Sequence, residues 1–97
     1  MAKTVHELLR ELGYNPSPEE EMYIKTLAHI TGELLVYRNE HKMTAREFAE
    51  KTGVPLQTIR KIESGVHNVS IKTLAKIAAT LGGELYVTLN IIDEEEW

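Results

Sequence analysis

The sequence predicts a mainly α-helical bundle with additional N-terminal helices and one C-terminal β-strand that pairs between subunits. Three observations predict it. Apolar residues recur at helical spacing through most of the first 83 positions. Capping residues open these stretches at Thr4, Ser17, Thr44 and Ser70, and glycines close several of them. From Glu84 to Ile92 the pattern changes to that of one β-strand, with apolar residues at every second position from Leu85 to Ile91.

Residues 4 to 12 form the first amphipathic helix. Thr4 with Glu7 is a capping box, and Gly13 follows the end. Val5, Leu8, Leu9 and Leu12 fall on one stripe, which either packs on its own domain or docks on a partner. Asn15-Pro16-Ser17-Pro18 is a turn, with Ser17 as N-cap and Pro18 at the first helical position. A long helix then runs from about Pro18 to about Glu40. Its stripe is Tyr23, Leu27, Ile30, Leu34 and Tyr37, widened by Ile24, Ala28 and Leu35. Gly32 weakens the middle and either kinks the helix or allows close contact.

Two short helices follow between Thr44 and Gly65. Thr44 and Glu47 form a capping box, Phe48 and Ala49 face inward, and Gly53 makes a left-handed end. Val54 fills the corner. The second helix opens at Pro55 or Leu56, and Ile59 and Ile62 pack back. Ala49, Gly53, Val54, Ile59 and Ile62 are the internal skeleton of a helix-turn-helix: a small residue at the crossing, glycine at the turn, and apolar residues on one side only. The other side carries Gln57, Thr58, Arg60 and Lys61. After the loop 66–69, Ser70 caps a last helix to about Leu81. Its inner face is Ile71, Leu74, Ile77, Ala78 and Leu81.

In the strand, Leu85, Val87, Leu89 and Ile91 alternate with Tyr86, Thr88 and Asn90. A lone strand leaves its backbone groups unpaired. Pairing with the same strand of a second subunit solves this about a two-fold axis. Addition to another protein's sheet, or a coil on its own domain, are the alternatives. The dimerising residues are therefore Leu85, Tyr86, Val87, Thr88, Leu89 and Ile91. The tail Asp93 to Trp97 is either solvated or an anchor through Trp97. The expected division is residues 1–17, the helical domain 18–83, and the strand and tail 84–97.

The net charge of −4 hides an uneven distribution. Residues 38–80 hold eight Lys/Arg against four Glu, a local +4; residues 1–37 sum to −3 and residues 81–97 to −5. The centre suits phosphate and the flanks suit a basic protein. With 97 residues the chain is one small domain that gains from a partner subunit. The absence of cysteine excludes disulfides and thiolate metal sites. No stretch has the length and apolarity of a membrane span or the features of a signal peptide, so a cytoplasmic protein is expected.

The chain resembles the Cro/cI-type (XRE) helix-turn-helix family. Thr44 to Ala49, Gly53-Val54, Thr58 to Gly65 and Ser70 to Gly82 carry the likeness, which spans about Leu34 to Gly82. Ala45 and Val66 depart from the family, which often places phosphate-holding side chains there. The wider layout is similar to HigA-like antitoxins of type II toxin–antitoxin modules. Glu33 to Glu40 enters the module as in that class, and Leu81 to Val87 leaves it likewise. This resemblance implies a basic, RelE-fold, mRNA-cleaving toxin as partner, with autorepression of the operon. The alternative is a stand-alone XRE regulator or phage-type repressor; an interaction module that has lost DNA binding is a third reading.

A helix-turn-helix puts its second helix in the major groove. Gln57 is the best base reader, since its amide pairs bidentately with adenine. Arg60 and Lys61 reach guanine or phosphate, Thr58 either, and Leu56 a thymine methyl. Arg46, Lys51, Asn68 and Lys72 suit phosphate. A dimer reading two half-sites of a double-stranded operator supplies the remaining specificity. The toxin surface would involve Val5, Leu8, Leu9, Leu12 and Tyr23. His6, His29, His41 and His67 lack metal-ligand spacing, and no catalytic motif appears. No enzyme, metal or cofactor is expected.

Overall fold

The computed structural model describes residues 3–92. Five helices follow in order: α1 Val5–Glu11, α2 Pro18–Glu40, α3 Ala45–Thr52, α4 Leu56–Glu63 and α5 Ile71–Thr80. Local chemistry sets their starts. The hydroxyls of Thr4, Ser17, Thr44 and Ser70 accept from the amides of Glu7, Glu20, Glu47 and Thr73. At Thr44 the box is complete, because the Glu47 carboxylate also accepts from the Thr44 amide at 2.9 Å. Pro18 sits at the start of α2, where it lacks nothing the helix needs.

The core lies in the second half of the chain. Leu34, Phe48, Ala49, Val54, Ile59, Ile62, Val69 and Ile77 are buried together. Helix α3 packs on α4 and on α5, and α2 packs on α4. Each residue of this cluster was expected to point inward except Val69, which the loop 66–69 turns into the core; the buried Thr52 was not expected either. The periphery differs more. Of the α2 stripe, Leu27 and Leu34 are buried, Ile30 and Tyr37 half-buried, and Tyr23 exposed. Ile24, Ala28 and Leu35, expected to widen it, are exposed, as is Ile71 at the start of α5. Only the C-terminal half of α2 has a full bundle against it. Gly32 neither breaks the helix nor meets a neighbour: a β-carbon there would lie in open space.

The stripe of α1 is exposed. Leu12 is 82% accessible, and Val5, Leu8 and Leu9 are also open. Leu9 lines a hollow with Tyr14, Pro16 and Ile24. Among the described residues no strand forms, and the segment expected as one, 84–92, has no ladder. A ladder needs a second strand, and the described residues contain none. Tyr86 donates to Glu84, and the apolar side chains from Val87 to Ile92 face solvent. The expected acidic tail and Trp97 lie outside the described residues.

Among the described residues no helix is long and apolar enough to cross a membrane. The radius of gyration is 16.7 Å, against about 12.5 Å for a compact domain of this length.

Candidate nucleic-acid interface

The corner between α3 and α4 is built from three residues in a row. Thr52 is buried; its hydroxyl donates to the Phe48 carbonyl at 2.8 Å and accepts from the Val54 amide. Gly53 follows at φ +73°, a conformation that a side chain resists. A β-carbon there would also come within 3.3 Å of Lys76 Cε. Val54 then fills the corner. The Lys76 ammonium donates to the Gly53 carbonyl at 2.9 Å, so this cation of the basic centre caps the turn. The Glu47 carboxyl is held below the usual carboxylate range, first by the backbone amide of Thr44 and then by its hydroxyl.

The far end of α4 is tied to α2. The Thr31 hydroxyl donates to the Ile62 carbonyl at 2.7 Å. Arg38 Nη1 donates to both oxygens of Glu63 at 2.6 Å, and its Nε donates to the Met43 carbonyl. The pair is largely sheltered, with 20% and 13% of the two side chains accessible. Tyr37 meets Phe48 edge-on at 5.9 Å. Sequence reasoning took Arg38 and Glu63 as charges and as members of two separate motifs, and missed that they pair and tie α4 to α2. The one signal available was an acid at the end of the second helix, beside the Ile62 that must turn inward.

Held this way, α4 presents a polar face. Gln57, Arg60 and Lys61 are all exposed, and their spacing puts them on one side of the helix. Thr58 and Leu56 are half-buried, Leu56 against the core, so less of each is available to a groove. The N-terminus of α4 begins at Pro55 and has no side-chain cap. Its first-turn amides are therefore not taken by a capping side chain.

The expected phosphate contacts stand around this face. Arg46 and Lys51 are exposed on α3, Asn68 in the loop, and Lys72 on α5. Arg46 shares a shallow notch between α3 and α4 with Glu50, Pro55 and Leu56. Glu50 places an acid there that sequence reasoning did not weigh. Ala45 is half-buried against the core, which explains why a small apolar residue is tolerated at that position. Val66 is exposed. Val5, Leu8, Leu9, Leu12 and Tyr23 lie on the N-terminal elements, apart from the cations of α3 to α5.

A helix-turn-helix family model matches residues 34–87. A protein of Methanothermobacter thermautotrophicus, described as an uncharacterized HTH-type transcriptional regulator, is 37% identical over 59 residues. That match covers 61% of this chain and 86% of the relative. A protein of Methanocaldococcus jannaschii with the same description is 43% identical over 49 residues, covering 50% of this chain and 74% of the relative. Among solved structures, a toxin–antitoxin module from Streptococcus pneumoniae superposes with a TM-score of 0.70 at 27% identity. It covers 93% of this chain and 97% of that one. The match over more than half the chain, and the turn geometry that explains it, lead to one conclusion: the protein belongs to the XRE-type helix-turn-helix family of DNA-binding transcriptional regulators.

Proposed function

We propose that the protein is the antitoxin of a toxin–antitoxin pair: a homodimer that represses its own operon and neutralises a basic, RelE/HigB-like, mRNA-cleaving toxin. The observation that carries this reading is the extent of the likeness to the Streptococcus pneumoniae module. It takes in 93% of the chain, so it reaches well beyond the matched residues 34–87.

Each part then has a task. The domain 18–83 reads the operator, with Gln57 at a base edge, Arg60 and Lys61 at guanine or phosphate, and Thr58 at either. Leu56 touches a thymine methyl, and Arg46, Lys51, Asn68 and Lys72 hold the backbone. Residues 1–17 and Tyr23 offer the toxin an apolar surface in the acidic N-terminal region; Val5, Leu8, Leu9 and Leu12 form it. Residues 84–97 join two copies through Leu85, Tyr86, Val87, Thr88, Leu89 and Ile91. A basic toxin would be drawn to the acidic flanks, while the basic centre stays on the duplex.

The test is co-expression with the product of the adjacent gene, followed by purification and a gel shift on the DNA upstream. A small basic protein should co-purify, and the upstream DNA should be retarded in a salt-sensitive way. Arg60→Ala should weaken that binding about tenfold or more; no loss would remove Arg60 from the site. A second reading, a stand-alone regulator or phage-type repressor, is favoured by the curated relatives, whose descriptions mention only transcriptional regulation. DNA binding without any co-purifying toxin would select it.

A further inference from the structure

The stretch from Leu85 to Ile92 contains no charged residue, yet most of it faces solvent. Leu89 and Ile91 are more than four-fifths exposed, while Leu85 is the most sheltered of the series at 37%. Beneath residues 84–88 lies a cavity of about 430 Å³, lined by Ile30, His29 and Glu33 of α2 and by Leu74 of α5. Glu84 to Thr88 all border it, and Leu85 is the most sheltered apolar residue among them, so the start of the segment lies along this seat.

We propose that residues 84–92 pair with the same residues of a second copy about a two-fold axis through Thr88, and that the partner's Ile91 enters the cavity beside Leu85. This rests on the homodimer reading above and specifies its geometry. An antiparallel two-fold pairing can keep odd residues opposite odd ones only if the axis passes through a residue rather than between two. Four apolar residues occupy odd positions, Leu85, Val87, Leu89 and Ile91, and their midpoint is Thr88. An axis there sets Leu85 opposite the partner's Ile91 and Val87 opposite the partner's Leu89. A shift to Val87 or Leu89 leaves an apolar residue overhanging.

The exposed area agrees with a second copy as occupant. The chain exposes 8012 Å², whereas a compact monomer of its mass exposes about 5,600 Å². Part of that excess is the open stripe of α1, and part is the uncharged run in which Tyr86, Val87, Leu89, Ile91 and Ile92 are 61–85% exposed; an ordinary stable interface takes about 800 Å² from each side. The segment carries no charge of its own to take out of water, and Glu33, at the edge of the cavity, has 67% of its side chain exposed.

The chain has no cysteine, which allows a clean test in the full-length protein. Thr88→Cys alone should oxidise to a covalent dimer, because each residue 88 faces its counterpart within disulfide reach. Tyr86→Cys and Asn90→Cys should each stay uncoupled alone, since like residues then sit about 13 Å apart. A mixture of those two variants should cross-link. Ile91→Ser should raise the dimer dissociation constant about tenfold or more, whereas Ile92→Ser, on the outer face, should leave it nearly unchanged.

Sedimentation of the wild-type chain separates the two levels of failure. A monomer at micromolar concentration would overturn the homodimer reading and this pairing with it. A dimer in which Thr88→Cys does not cross-link, or in which Asn90→Cys cross-links with itself, would overturn the axis at Thr88 alone. Greater sensitivity at Ile92 than at Ile91 would overturn the occupant of the cavity.

Discussion

Arg38 and Glu63 are 25 positions apart and meet where one guanidinium nitrogen donates to both carboxylate oxygens, at a place that water only partly reaches. Removing one partner strands the other in a sheltered position, so Glu63→Ala should cost about 2 kcal/mol in urea unfolding. The double change Arg38→Met, Glu63→Leu should recover part of that loss, because no lone charge remains. The capping carboxylate is a second residue-scale case. Glu47 is held below its ordinary range in the folded chain. Its contribution is therefore present above the range where an unfolded glutamate titrates, and is lost as pH falls through the folded value. Thermal melts of Glu47→Gln against wild type should differ most near neutrality and converge in acid. Neither interaction is equally visible in sequence. The box between Thr44 and Glu47 is legible because its partners are three residues apart. The pair from α2 to α4 is not, because only the packed fold brings them together.

At the scale of elements, the two glycines Gly32 and Gly53 should respond in opposite directions. Gly32 lies inside α2 with open space beyond it, so Gly32→Ala should stabilise by about 1 kcal/mol. Gly53 has a positive φ and Lys76 close by, so Gly53→Ala should destabilise by about 1 kcal/mol or more. Denaturant midpoints of the two variants check both. The ends of α2, Pro18 and Glu40, were readable because caps and prolines act locally. Which of its sides is covered was not. Ile24 and Leu35 share the apolar character of Leu27 and Leu34, but their exposure depends on where α3 to α5 pack. The cationic face of α4 was legible from spacing alone, whereas the half-burial of Leu56 and Thr58 depended on the angle at which α4 meets the core. The segment 84–92 does not form the expected strand for another reason: alternation is a property of one segment, but hydrogen-bonded pairing is a property of two.

The whole molecule is loosely drawn together, with its basic centre set between acidic ends. Removing residues 84–97 should leave the helical domain folded, since the buried cluster ends at Ile77. The shortened chain should sediment as a monomer. Its gel-shift affinity for a two-half-site operator should fall, while its salt sensitivity per copy should persist, since the cations of α3 to α5 are untouched. A shortened chain that stays dimeric would place the subunit contact elsewhere.

Helix α2 runs unbroken for 23 residues, about 35 Å, with its last turns locked to α4 through Thr31 and Arg38. Such a beam has no joint along its length. Cargo gripping the outer end would travel at a fixed bearing with the reading head, like a flag on a rigid mast. A dye pair placed on the first turn of α2 and on the operator should therefore give one narrow distance rather than a spread.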